Sequence, residues 1–128
     1  MYTERVLEHF RNPKYMGEIK DADGIGKIGN PVCGDVMWIY IKVGKDKKGE
    51  EILKDIKVKT FGCVAAISSS DVLCGIVKGM KLKDALKVNN QDVLKELGEV
   101  PAQKRHCSIL AADALHRAIK DYQTKKSG

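Results

Sequence analysis

The chain has 128 residues, 43% of them hydrophobic and 31% charged, with 23 Lys and Arg against 17 Asp and Glu for a net charge of +6. That size and balance exclude a disordered tail, a collagen and a low-complexity linker, and fit one domain over residues 1–128 that can bury a core without staples. No apolar run approaches the roughly 18 residues of a membrane span, and Met1-Tyr2-Thr3-Glu4-Arg5 lacks a basic-then-apolar leader pattern. A cytoplasmic protein with no membrane partner is the expectation.

The excess lysine is scattered over 42–59 and 78–87. None of the one Trp, four Tyr and two Phe sits inside a basic run as a base-stacking platform would, so no nucleic-acid partner is expected.

In chain order, residues 3–11 read as a short helix. Thr3 is its N-cap, Val6, Leu7 and Phe10 share a face, and Asn12-Pro13 ends it. Residues 14–31 read as loop with one short strand around Ile25–Ile28. Val36–Val43 alternates, with Met37, Ile39, Ile41 and Val43 on one face and Val36, Trp38 and Tyr40 on the other. Gly44–Glu50 is a charged turn. Ile52–Phe61 pairs back as a hairpin, with Ile56, Val58 and Thr60 inward and Lys57 and Lys59 outward.

After Gly62-Cys63 the period becomes helical. Ala66, Ile67, Ser70, Leu73, Cys74 and Val77 fall on one side, and Gly79 is the C-cap. Leu82–Val88 and Asn90–Leu97 read as shorter helices, the second capped by Asn90 and stopped by Gly98, with Pro101 in a loop. A last helix over about 105–123 carries a stripe of Leu110, Ala111, Ala114, Leu115, Ala118, Ile119 and Tyr122. Residues 124–128 read as a frayed tail. Strands before helices imply α+β: a small antiparallel sheet of about three strands with helices packed on one face.

Four cysteines occur, at 33, 63, 74 and 107, with no C-x-x-C pair. Three of them sit at ends of elements. Cys33 lies in Asn30-Pro31-Val32-Cys33-Gly34-Asp35 before the first long strand, Cys63 at a strand-to-helix junction, and Cys107 in the first turn of the last helix. Element ends on one side of a layered domain can converge. Free N–H groups near a helix start lower a thiol pKa, and Gly34 and Gly62 leave room for a bulky ligand. Asp35 and His106 add oxygen and nitrogen donors. The set Cys33, Asp35, Cys63, His106 and Cys107 suits zinc or iron–sulfur chemistry, set against the ordinary reading of each cysteine as a small core residue. Cys74 is separated from Cys63 by about 16 Å of helix rise and lies on the apolar stripe, so it reads as core.

These segments resemble the IscU/NifU-type iron–sulfur cluster assembly scaffold family, over nearly the whole chain. The resemblance rests on His9-Phe10-Arg11-Asn12-Pro13 with Gly17, Asp21-Ala22-Asp23-Gly24 and Asn30-Pro31-Val32-Cys33-Gly34-Asp35. It continues through Lys59-Thr60-Phe61-Gly62-Cys63 with Ser68-Ser69-Ser70, and Lys104-Arg105-His106-Cys107-Ser108-Ile109-Leu110-Ala111. It implies a SufE/NifU-like α+β fold and a scaffold, not an enzyme, that builds a transient [2Fe–2S] cluster and passes it to apo-proteins. The implied sulfur source is a persulfide from a pyridoxal-phosphate cysteine desulfurase. By position, Cys33, Cys63 and Cys107 resemble the cluster thiolates, and Cys107 the persulfide acceptor. Asp35 resembles the carboxylate that binds iron and keeps the cluster labile, His106 a fourth or alternative ligand, and Lys104 a lysine that assists assembly.

Val100-Pro101-Ala102-Gln103-Lys104 departs from the Leu-Pro-Pro-Val-Lys segment that a dedicated chaperone reads in bacterial members. Val64 replaces a frequent glycine, Cys74 is an extra thiol, and His106 favours the IscU branch over the zinc-containing SufU branch. The competing functions are a zinc-dependent sulfur acceptor working with a desulfurase and a structural zinc module. Tyr2–Phe10 is a candidate docking segment for the desulfurase or a second scaffold chain, against its closing its own core.

Overall fold

The computed structural model describes residues 3–30, 35–61, 64–98 and 106–127, with the side chains at 30, 35, 106–108 and 127 also outside the description. It contains α1 (Glu4–Arg11), β1 (Gly24–Asn30), β2 (Asp35–Lys45), β3 (Glu51–Phe61), α2 (Val64–Val77), α3 (Leu82–Ala85), α4 (Asn90–Leu97) and α5 (His106–Ser127).

The strands form one antiparallel sheet in the order β1-β2-β3. Alternation in β2 buries Met37, Ile39 and Ile41 under the helices, together with Ile56 and Val58 of β3. The β3 alternation breaks at a bulge. Lys42 pairs with Asp55 but Val43 pairs with Leu53, so Lys54 is skipped and Leu53, not Lys54, turns inward. Across the hairpin, Asp46 Oδ1 accepts from the N–H groups of Lys48 and Glu50, both at 2.9 Å. The outer edge of β3 is partly covered, because Val58 donates its N–H to Tyr15 O and accepts at its carbonyl from Gly17 N–H.

Thr3 caps α1 as expected, accepting from Val6 N–H while donating at 2.8 Å to Leu97 O of α4. Val6 is fully buried, but Phe10 stays 39% exposed and is not part of the buried face. The helix α2 differs from its one-sided reading. It runs through the middle of the domain between α1, α4, α5 and the sheet, and buries Ala65, Ser68, Ser69, Asp71 and Val72 as well as Ala66, Ser70, Leu73, Cys74 and Val77. Ile67 is only half-buried. Ser68 Oγ meets the need for partners by donating to Val6 O at 2.7 Å, and Ser70 Oγ by donating to Ala66 O at 2.8 Å. The cap of α4 is Asn89, not Asn90: its side chain accepts from the Gln91 and Asp92 amides, and Asp92 Oδ2 accepts from Asn89 N–H.

The stripe on α5 is buried from Leu110 to Ile119 against β1, β2 and α2. Gly24 and Gly26 of β1 make this possible. A Cβ on Gly26 would fall on Ala114 O and Ala118 N, and one on Gly24 on Ala118 O. The helix extends to Ser127 instead of fraying after residue 123. Three side-chain links hold its last turns: Tyr122 Oη donates to Glu51, Lys126 pairs with Glu51 at 3.0 Å, and Lys125 pairs with Asp121 at 2.9 Å. Among the described residues no helix is long and apolar enough to cross a membrane.

Candidate functional site

The strand register brings several chain positions to one end of the sheet. Asn30, at the end of β1, pairs with Asp35, the first residue of β2, and Val36 pairs with Phe61, the last residue of β3. Four residues, 31–34, join Asn30 to Asp35, and two, 62 and 63, join Phe61 to Val64 at the start of α2. The helix α5 runs antiparallel to β1, with Ala118 and Tyr122 over Gly24 and Ala114 over Gly26. From Gly24 to Asn30 the strand advances about 20 Å. The same advance along α5 from residue 120 takes about 13 helical residues, which reaches His106 and Cys107. The start of α5 therefore lies at the end of the sheet that carries Asn30, Asp35 and Phe61.

Cys33, Cys63 and Lys104 lie outside the described residues, as do the side chains of Asp35, His106 and Cys107. What the fold supplies is the convergence of the element ends to which they are covalently tied. The junction beside them is firmly held. Thr60 Oγ1 donates to Val36 O at 2.8 Å, and Lys59 Nζ donates to Glu18 at 2.8 Å, which raises the Lys59 pKa first through that hydrogen bond. Among the described residues no group of three or more His, Cys, Asp or Glu could hold a metal ion.

Cys74 behaves as the sequence suggests. It has no solvent exposure, and burial first, then the nearby Asp71 charge, pushes its thiol pKa far up, so it stays protonated. Two features escaped the sequence reading. Asp71 is 1% exposed and accepts from His9, Lys14 and Tyr15, tying the His9–Pro13 motif to α2. An acid in the middle of the apolar run 64–77 is the signal that points to it. The second is on the helix-free face, where strand pairing gathers Trp38 and Phe61 with Lys27 and Lys59, residues far apart in sequence. The lack of aromatic residues inside basic runs of the sequence does not keep rings and lysines apart across the strands.

The NifU-like N terminal domain profile matches residues 1–128. The chain is 53% identical over 125 residues to iron-sulfur cluster assembly scaffold protein IscU 1 of Archaeoglobus fulgidus, covering 98% of this chain and 78% of that protein. It is 43% identical over 128 residues to the scaffold protein IscU of Rickettsia prowazekii, covering 98% and 94%. In fold it is similar to the crystal structure of a nitrogen-fixing NifU-like protein (N-terminal) from Brucella abortus, with a TM-score of 0.73, 22% identity and coverage of 96% and 94%. Profile, relatives and fold agree, and the chain belongs to the NifU-like N-terminal domain family.

Proposed function

We propose that this protein is a scaffold on which an iron–sulfur cluster is assembled and from which it is handed to apo-proteins, the cluster being cargo and not a resident cofactor. The observation that carries this reading is the 43–53% identity, over nearly the full length, to proteins named as iron–sulfur cluster assembly scaffolds. Those names favour the scaffold over the zinc-dependent sulfur acceptor and the structural zinc module.

The cargo in this reading is a [2Fe–2S] cluster. Cys33, Cys63 and Cys107 are its thiolate ligands, with Asp35 or His106 in the fourth position. Cys107 accepts sulfane sulfur from a desulfurase persulfide, and Lys104 assists from three residues before it. Convergence of the ends of β1, β2, β3 and α5 supports this ligand set. Four thiolates favour a stable electron carrier, whereas a carboxylate or imidazole in one position weakens a bond and lets the cluster leave. Templating of this kind needs no turnover chemistry from the chain.

Cluster lifetime tests the reading. Asp35→Ala is expected to slow transfer to an apo-ferredoxin by tenfold or more, about 1.4 kcal/mol in barrier, while cluster content at full loading stays that of the wild type. Equal transfer rates contradict the role of Asp35, and failure of the wild type to take up any cluster contradicts the scaffold.

A further inference from the structure

The helix-free face of the sheet carries a surface that cluster ligation does not use. Cross-strand pairing places Ile25 beside Tyr40, Trp38 between Lys27 and Lys59, and Val36 beside Phe61. Phe61 is 65% exposed and Ile25 40%. The Trp38 and Phe61 rings meet edge to face at 5.9 Å. Lys27 Nζ stands 5.2 Å from the centre of the Trp38 ring, and Lys59 Nζ lies 6.0 Å from that ring and 5.9 Å from Phe61. No described element of the chain packs over this group. Exposed aromatic area of this kind marks interaction sites, and aromatic anchors carry much of the binding energy in protein interfaces.

Charge divides the face into two halves. At the far half Lys42 is matched by Asp21 at 3.1 Å and Asp23 at 3.7 Å. At the half near Asp35 and Phe61, Lys59 is matched by Glu18, whereas Lys27 and Lys57 meet no carboxylate among the described residues. The unmatched positive charge therefore lies at Lys27, over the Trp38 ring, and at Lys57, which pairs with Tyr40 two residues along β2 from Trp38.

We propose that this half of the sheet docks the apo-protein that receives the cluster, through an apolar centre on that partner ringed by carboxylates. The identity of the occupant rests on the scaffold reading; the chemistry of the occupant rests on the lysines and rings. Charge complementarity steers such a partner and fixes its orientation. A partner seated over Trp38 and Phe61 lies against the end of the sheet where the cluster leaves, so transfer follows docking without a long displacement. A single-stranded nucleic acid fits less well. The Trp38 and Phe61 rings stand at 87° to one another, so successive bases cannot stack on both.

Trp38 is the only tryptophan in the chain, so its emission reports on this face directly. The cluster-free full-length protein is titrated with an acidic, tryptophan-free apo-ferredoxin at about 20 mM and about 300 mM salt, either side of strong screening. The expected result is a saturable change in Trp38 emission that weakens about tenfold or more at the higher salt. The exposed-residue variant Ile25→Ser/Lys27→Glu, with wild-type circular dichroism and wild-type loading from ferrous iron and sulfide, is expected to pass its cluster about tenfold more slowly.

Unchanged Trp38 emission at a ferredoxin concentration that supports transfer, or full-rate transfer from the loaded variant, overturns the docking proposal and leaves the scaffold intact. Salt-sensitive binding by a wild type that loads no cluster supports the docking face and overturns the scaffold. Tighter binding of oligo-dT than of the ferredoxin at the same salt overturns the choice of a protein partner.

Discussion

His9 of α1 and Asp71 of α2 are joined by a 2.7 Å hydrogen bond between Nδ1 and Oδ2. An ionised carboxylate only accepts, so the proton resides on Nδ1. The other oxygen, Oδ1, accepts from the N–H groups of Lys14 at 2.7 Å and Tyr15 at 3.0 Å. With Asp71 1% exposed, one buried carboxylate thus fixes the end of α1 and the segment that covers the edge of β3. Asp71→Ala strands all three donors and is expected to destabilise by about 3–5 kcal/mol. Asp71→Asn, which retains an acceptor oxygen, should lose less. Urea midpoints measure both, and a loss below about 1 kcal/mol in the alanine variant contradicts this account.

Glycine at position 26 is needed for space and not for conformation. Gly26→Ala drives a methyl onto the backbone of α5 at Ala114 and Ala118. The helix must lift from β1, at about 3 kcal/mol or more by analogy with severe overpacking. Gly75→Ala is the matched control. It sits within α2, where an added Cβ comes no closer than 3.6 Å to Tyr15, and should be neutral or stabilising by up to about 1 kcal/mol. Thermal melts of the pair decide the point, because equal effects at the two sites rule out the steric explanation.

Tyr122 and Glu51 set opposite pH limits on the seam between α5 and β3. Donation to Glu51 is the main cause that pushes the Tyr122 pKa up to about 12. The same bond, followed by Lys126, holds the Glu51 carboxyl below its ordinary value. The tyrosine contribution is complete below the unfolded value of about 10 and is lost as pH climbs through about 12. The glutamate contribution is present above about 4.3 and is lost as pH falls through the lower folded value. Tyr122→Phe is expected to destabilise by about 1 kcal/mol at neutral pH and to flatten both limbs of Tm against pH. A curve parallel to that of the wild type contradicts the coupling.

Cys74 is expected to resist alkylation in the native state and to react only on unfolding, since the thiol is buried and held protonated. Cys74→Ala should lower stability by about 1 kcal/mol for the lost core volume while leaving cluster loading unchanged. A mass-spectrometric time course of alkylation measures the first, and prompt labelling of Cys74 contradicts it.

Local pattern made much of the fold legible. The alternation of Met37, Ile39 and Ile41, the Thr3 cap and the α5 stripe each depend on neighbours within a turn or a strand, and the structure agrees with them. The β3 bulge was not legible, because skipping one residue at Lys54 flips the inward face without leaving a compositional mark. Nor was the all-round burial of α2, since Ser68, Ser69 and Asp71 read as polar until their tertiary surroundings are known. The candidate site residues are named from motifs around Cys33, Cys63 and Cys107, which lie outside the described residues or have side chains outside them. The convergence of the ends of β1, β2, β3 and α5 was readable only as a possibility, because it depends on the register of three strands and on the two glycines that seat α5. The Trp38 surface was hidden for the same reason, its members being cross-strand neighbours.

The most direct test of the central claim is the iron and acid-labile sulfide held per chain after anaerobic incubation with ferrous iron, cysteine and a cysteine desulfurase. The account predicts near-equal iron and sulfide, about two of each for a [2Fe–2S] cluster held by one chain. It also predicts loss of the visible absorption in Cys33→Ala, Cys63→Ala and Cys107→Ala but not in Cys74→Ala. Absence of labile sulfide, with one tightly held zinc ion in its place, would contradict it.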